Sequence, residues 1–406
     1  MSSPDPSFGW LGTPPGATWP SADTRLAGDS NPFVAFRHML WSYYRASTSG
    51  WSEERFVDLV RRLDDAVAEV DGRGFRTTPL VFQRDLATAL NQAGGIWTKD
   101  ETGNVSGTHK ARHLFGLALH LAVDEVPTDT PLAISSCGNA ALAAAVVARA
   151  AGRPLAVHVP TWADSAVLDR LHDLGAEVRT CERRDGESGD PCLLRFRELV
   201  AEGAVPFTVQ GTEAPWTLDG GRTLGFELIT GLSDRGAQPT RLFVQVGGAT
   251  LASSTVHALV DAIDLGAIER RPSLIAVQVE GCAPLARAFN RVADAEDPVA
   301  ALGDADGVHM WPWDSPRSVA TGILDDEAYD WRAVVRDMLL GPVPGGPVVT
   351  TEADLLEAHR LVHAHTGVLA DPTGTAGLAG LLTARRDGCV QHDEEVAILL
   401  TGTERS

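Results

Sequence analysis

The chain has 406 residues, 44% of them apolar and 22% charged, which is ordinary for a globular protein and long enough for two packed domains or one large α/β enzyme. A formal charge of −20 excludes recognition of a phosphate backbone, and no apolar run reaches the roughly eighteen residues of a membrane span. Five scattered cysteines without a CxxC pair (Cys137, Cys181, Cys192, Cys282, Cys389) are expected as reduced thiols in a cytoplasm, with no zinc site.

Residues 1–30 are rich in Pro, Ser and Gly and read as an arm, and the start MSSPDPSFGWLG lacks a secretory signal core. Asn31-Pro32 forms an N-cap and first-turn pair that predicts one amphipathic helix through FVAFRHMLWSYYRA, residues 33–46. A second helix is expected after Ser52, with Phe56, Val57, Leu59, Val60, Leu63 and Val67 on one stripe.

The stretch TKDETGNVSGTHKARH, residues 98–113, holds both lysines of the chain, Lys99 and Lys110; every other basic residue is arginine. Arginine carries charge but cannot become a nucleophilic amine, so a lysine here is a candidate for amine chemistry. Base composition of the gene explains the missing lysines without explaining the two that remain.

From about residue 130 short apolar runs (PLAI, LAVHV, AEVRTC, VPFTV, RLFVQV, SLIAVQV) alternate with helical stretches, the pattern of βαβ units on a parallel sheet. A last strand is expected in EEVAILLTGT. Ligands collect at the carboxyl ends of such strands, which singles out AISSCGNAA, VQVGGATLASS and AILLTGT. Gly247-Gly248 followed by a helix offers backbone amides to an anion, or is simply a tight turn. Ser135, Ser136 and Asn139 could contact a small polar ligand, or Asn139 could merely cap the alanine-rich helix. Further along, DADG (304–307) lacks the remainder of a calcium loop, and MWPWD (310–314) reads as loop packing. His363 and His365 fall on different helix faces, so no metal site is expected there.

Taken in order, the motifs are K-x-E (99–101), S-G-T-H-K-x-R (106–112), S-S-x-G-N-A (135–140), V-G-G-x-x-L-A (246–252) and L-L-T-G (399–402). A chain carrying them from about residue 77 to 403 resembles the fold type II pyridoxal-phosphate (PLP) enzymes. That group includes threonine synthase, the threonine/serine ammonia-lyases, the tryptophan synthase β subunit and the cysteine synthases, and the first two are the nearest in wording. The resemblance implies an α/β, two-domain fold with parallel-rich sheets flanked by helices. Residues 1–113 and 216–406 would form a large PLP-binding domain, residues 114–215 a small mobile one, and the molecule would be a cytoplasmic homodimer. It also implies that Lys110 forms the Schiff base with PLP and that Lys99 is structural. Asn139 would bond the phenolic oxygen, while Ser135, Ser136, Cys137 and Asn139 would hold a substrate carboxylate. The amides of Gly247, Gly248, Ala249 and Thr250 would cradle the cofactor phosphate, and Thr401 would meet the pyridine nitrogen.

A hydroxyl at Thr401, where a carboxylate would deepen the electron sink, suits prompt expulsion of a leaving group. The expected activity is therefore a lyase on a small α-amino acid with a β- or γ-leaving group, through an aminoacrylate-like intermediate. A β-replacement synthase and a non-catalytic binding protein on the same fold are the alternatives. Ala111, Cys137 and Ala249 depart from the family wording and imply a substrate of the chain's own.

Overall fold

The computed structural model describes residues 11–21, 30–187, 189–343 and 345–405, so most of the arm expected over 1–30 lies outside the described residues. The chain divides into two compact units, one built from residues 78–103 and 224–405, the other from 13–77 and 104–223.

The strands in chain order are β1 (Leu80–Phe82), β2 (Ile96–Asp100), β3 (Leu132–Ser135), β4 (Leu155–Pro160), β5 (Glu177–Cys181), β6 (Val205–Pro206), β7 (Arg241–Gln245), β8 (Ser273–Val279), β9 (Val348–Thr350) and β10 (Val396–Leu400). In the first unit they form a six-stranded sheet ordered β1-β2-β10-β7-β8-β9. Only β1 runs antiparallel, with Leu80 opposite Lys99, so the sheet is mixed but parallel-rich. Strands β7, β8 and β10 are buried at every position, as expected of parallel strands covered on both faces. Phe243, Val277 and Ile398 of these strands meet Leu355 and Val362 of the helix Glu352–Thr366 and Leu378 and Leu381 of the helix Ala376–Arg386.

The second unit holds a four-stranded, all-parallel sheet ordered β5-β4-β3-β6. Its alanine-rich helix Asn139–Ala150 is buried along almost its whole length, because small side chains let neighbouring elements approach on every side. The expected strand over VPFTV shortens to two residues at the sheet edge, where Val205 and Phe207 donate to β3 and its approach and Pro206, between them, faces away from the ladder.

The N-terminal helix departs from expectation. Asn31 does cap, accepting from the Phe33 amide at 2.8 Å, but the helix ends at Ala35 and a new one runs Trp41–Thr48. Leu40 between them is extended, and the freed amides of Trp41 and Ser42 donate to the carboxylate of Asp219 at 3.0 and 3.1 Å. A buried carboxylate 178 positions away therefore caps this helix in place of a local side chain. His120 Nε2 lies 3.0 Å from the same carboxylate. Such contacts group residues 13–77 with 104–223, whereas the sequence reading had placed 1–113 with the C-terminal part. The second helix, Glu53–Asp71, forms as expected after its Ser52 cap; Phe56, Val60, Leu63 and Val67 are buried, and Val57 and Leu59 are half-buried at its flanks.

Candidate functional site

Lys99 and Lys110 have opposite surroundings. Lys99 points from β2 into the core of its unit, only 1% exposed, with Nζ 2.5 Å from Glu227 Oε2 and donating to Thr78 O at 2.7 Å. Thr78 donates its amide to Glu227 at 2.9 Å and its hydroxyl to the buried Glu101 at 2.5 Å, so the ion pair is enclosed in a hydrogen-bonded cluster. Lys110 is half-buried, opens the helix Lys110–Val123, and its Nζ makes no hydrogen bond or ion pair with any described residue.

The loop before Lys110 is held by two of its own side chains and by Asp71 at the end of the helix Glu53–Asp71. Asn104 Oδ1 accepts from the Val105 amide, Asp71 accepts from the Ser106 amide at 3.0 Å, and Thr108 Oγ1 accepts from the Lys110 amide at 3.3 Å. Ser106 is held at φ 55°, a left-handed conformation that L-residues seldom adopt, and the surrounding bonds over-determine it.

Within the same unit, Ser135 ends β3, and Ser136, Cys137 and Gly138 lead into the helix Asn139–Ala150. Gly138 occupies the cap position and no side chain caps the helix, so Asn139 is the first helical residue and not its cap. Ser136 Oγ lies 3.4 Å from the Gly138 amide, beside the remaining amides of the first turn. This is the donor arrangement that a small carboxylate needs. Cys137 belongs to both loops electrostatically. Burial and the charge of Asp190 push its thiol pKa up, while the Lys110 ammonium pulls the other way. The helices Lys110–Val123 and Asn139–Ala150 pack against each other, which makes the loops that open them neighbours, and Cys137 with its raised pKa remains a neutral thiol there.

Gly247, Gly248, Ala249, Thr250 and Thr401 all belong to the other unit. Gly247 and Gly248 follow β7, and Ala249 stands at the cap of the helix Thr250–Asp264 with φ 71°. No side chain caps this helix either. A Cβ at Gly247 would overlap the Asp325 carboxylate and lie 2.9 Å from Ile323 Cα; one at Gly248 would come within 3.0 Å of the Tyr329 ring. The segment 323–330 thus closes on the loop so tightly that only glycine fits. Thr250 Oγ1 donates to Asp330 Oδ2 at 2.5 Å, and the Asp330 amide donates to Gly248 O at 3.0 Å. The loop already meets two of the chain's own oxyanions, Asp325 and Asp330. The helix terminus and its glycine amides suit an anion, but a phosphate here would have to displace these carboxylates, because like charges repel and the one Thr250 hydroxyl hydrogen is held by Asp330.

Thr401 follows β10 and is buried. Its Oγ1 lies 2.6 Å from Gln245 Nε2 at the end of the neighbouring β7, and the same nitrogen donates to the carbonyls of Thr373 and Gly374 at 3.1 and 3.0 Å. Two carbonyls identify this as the amide nitrogen, which can only donate; of its two hydrogens one goes to Thr401 Oγ1 and the other is shared between the carbonyls.

The sequence reading missed Gln245 and the acidic segment LDDEAYD (324–330). Gln245 sat inside the quoted strand end, but its partner is 156 positions away. The acidic segment carried only its charge as a signal. His363 does join a histidine cluster, but with His359 one turn earlier and not with His365.

Residues 73–402 match the family model described as pyridoxal-phosphate dependent enzyme. The chain is 26% identical to threonine synthase of Synechocystis sp. over 326 residues, covering 80% of this chain and 75% of that protein. It is 26% identical to threonine synthase of Mycobacterium tuberculosis over 329 residues, covering 80% of each. Among solved structures, a threonine deaminase from T.th. superposes with a TM-score of 0.64 at 22% identity, covering 85% of this chain and 98% of that one. Maize serine racemase superposes with a TM-score of 0.64 at 17% identity, covering 86% and 94%. These structural likenesses show the fold expected from the sequence, α/β with parallel-rich sheets flanked by helices.

Proposed function

Because the chain belongs to the family of pyridoxal-phosphate-dependent enzymes, we propose that it is a lyase acting on a small α-amino acid with a β- or γ-leaving group, of the threonine synthase or threonine deaminase kind. The cofactor of this family is pyridoxal 5′-phosphate, which when bound supplies an electron sink for bond breaking at the substrate's Cα and Cβ.

The chain's own residues take up the remaining tasks. Lys110 offers the one lysine amine without a partner, as the attachment point for the aldehyde and then as the base that takes a proton from Cα. The amides of Gly247, Gly248, Ala249 and Thr250 would receive the phosphate once the Asp325 and Asp330 carboxylates give way. The uncapped turn at Gly138–Asn139 with Ser136 would orient the substrate carboxylate, and Asn139 would meet the phenolic oxygen. Cys137, kept protonated by burial, adds no charge beside that carboxylate.

The observation that carries the elimination reading is Thr401 with Gln245. The ring nitrogen would meet a hydroxyl already accepting from an amide, and no charge, so it would stay unprotonated and the sink shallow. A substrate that expels its leaving group promptly suits such a sink; racemisation or transamination, which needs a long-lived carbanion, does not.

The test is to reconstitute the purified chain with the cofactor and present threonine, serine, O-acetylserine and O-phosphohomoserine in turn. Release of a 2-oxo acid and ammonia, or of inorganic phosphate, is the expected outcome. Turnover only when an external nucleophile is supplied would replace this reading with β-replacement, and no turnover with any of the four would overturn both.

A further inference from the structure

The helix Glu352–Thr366 carries His359 and His363 four residues apart, hence on one face, with ring centroids 4.2 Å apart. The end of the chain returns beside them. Ala370 pairs with Thr403 in an antiparallel bridge, and the Glu404 amide donates to Leu369 O at 2.9 Å. This backbone pairing sets the Glu404 carboxylate against both rings, Oε1 3.9 Å from His359 Nε2 and Oε2 3.8 Å from His363 Nε2. One donor atom from each of the three side chains lies within 4.8 Å of the others.

Neither carboxylate distance is a hydrogen bond. His359 Nε2 is withdrawn from solvent and has no hydrogen-bond partner, so a buried ring nitrogen faces a second imidazole and a carboxylate with nothing bonding it. Such an atom calls for an explanation, and a cation between the three groups supplies one.

We propose that His359, His363 and Glu404 form a binding site for a divalent transition-metal ion of the zinc class. Two imidazoles and a carboxylate are its preferred donor set, at bonds of about 2.0–2.2 Å, which places tetrahedral donors roughly 3.3–3.5 Å apart. The two carboxylate separations need to contract by about half an ångström, and the imidazole pair, within 4.8 Å, by up to about 1.5 Å, so the rings turn toward the ion on binding. His363 Nε2 now donates to Ala370 O at 2.9 Å. On coordination the neutral ring moves its proton from Nε2 to Nδ1, the Nε2 lone pair binds the ion, and the carbonyl oxygen is left alongside as a further donor. No proton is gained or lost overall. The ion would clamp the segment 401–404 to the helix Glu352–Thr366, and so stiffen the strand end that carries Thr401.

The test uses the full chain, treated with chelator and titrated calorimetrically with Zn²⁺. One ion per chain is expected, with affinity falling at least about tenfold in His359→Gln and in Glu404→Gln. His365→Gln should bind as the wild type does. Zn²⁺ should also raise the Tm of the wild type and leave that of both ligand variants unmoved. Far-UV circular dichroism in chelator checks that each variant folds, and Glu404→Gln, a change at a half-exposed side chain, serves if His359→Gln does not. Absence of one-to-one binding, or unchanged binding in both ligand variants, would overturn the proposal.

Discussion

The two lysines stand eleven positions apart, yet one is held on all sides and the other on none. Lys99 is locked against Glu227 and Thr78, and Lys110 stands at a helix start with its amine unengaged. The contrast recurs elsewhere in the molecule. Asp219 is saturated by two amides, His120 and Arg222, and holds the frame. The turn at Gly138 leaves its helix end without a side-chain cap and can hold something else. Polar groups with built-in partners hold this fold, and polar groups without them are where its chemistry is to be sought.

The sharpest way to break the comparison is to exchange the fates of the two lysines. Lys110→Ala should lower turnover about 10³-fold or more while leaving the fold intact, and should remove the borohydride-reduced pyridoxyl tag from the peptide containing residue 110. A tag that persists elsewhere at full yield would end the account of Lys110. Lys99→Met should leave tagging at position 110 unchanged but destabilise the chain by about 3–5 kcal/mol in urea, because the Glu227 carboxylate stays buried without its cation.

Asp219 tests the frame through pH. Burial alone would raise its pKa, but the His120 hydrogen bond, the His120 and Arg222 charges and the Trp41 amide outweigh that and hold it below its ordinary 3.8. A depressed folded pKa means that the stability contributed by ionised Asp219 is complete above about pH 4 and drains away as pH falls toward the folded value. Asp219→Asn should therefore lower stability by about 2–3 kcal/mol at pH 7 and flatten its fall on the acid side, as read by urea midpoints across pH. A parallel downward shift at every pH would contradict the ionised reading.

Smaller effects sharpen the contrast at the open loops. Gln245→Leu removes the donor that assigns Thr401 its role, and should weaken cofactor affinity or turnover by about tenfold and shift the visible absorption of the bound cofactor. Thr401→Ala should reproduce that spectral change, and the double variant should add little to it. At the smallest scale, Ala249→Gly should stabilise the chain by about 0.5–1 kcal/mol, since alanine is strained at φ 71° and glycine is not. A loss of stability would mean that the loop conformation is held otherwise.

The alternation of apolar runs from residue 130 onward, the last strand and the order of the five motifs determined the α/β class and the family, because strand and helix periodicity are local and each motif lies within a few residues. Lys110, Asn139, the glycine turn and Thr401 could be named for the same reason. What only the tertiary structure decided is which polar groups find partners. Glu227 for Lys99, Asp219 for the helix at Trp41, Gln245 for Thr401, Asp325 and Asp330 for the glycine turn, and Glu404 for two histidines are all pairings of residues far apart in the chain. Such pairings depend on which strand lies beside which in the sheet and where the backbone returns, and local side-chain pattern carries no record of either.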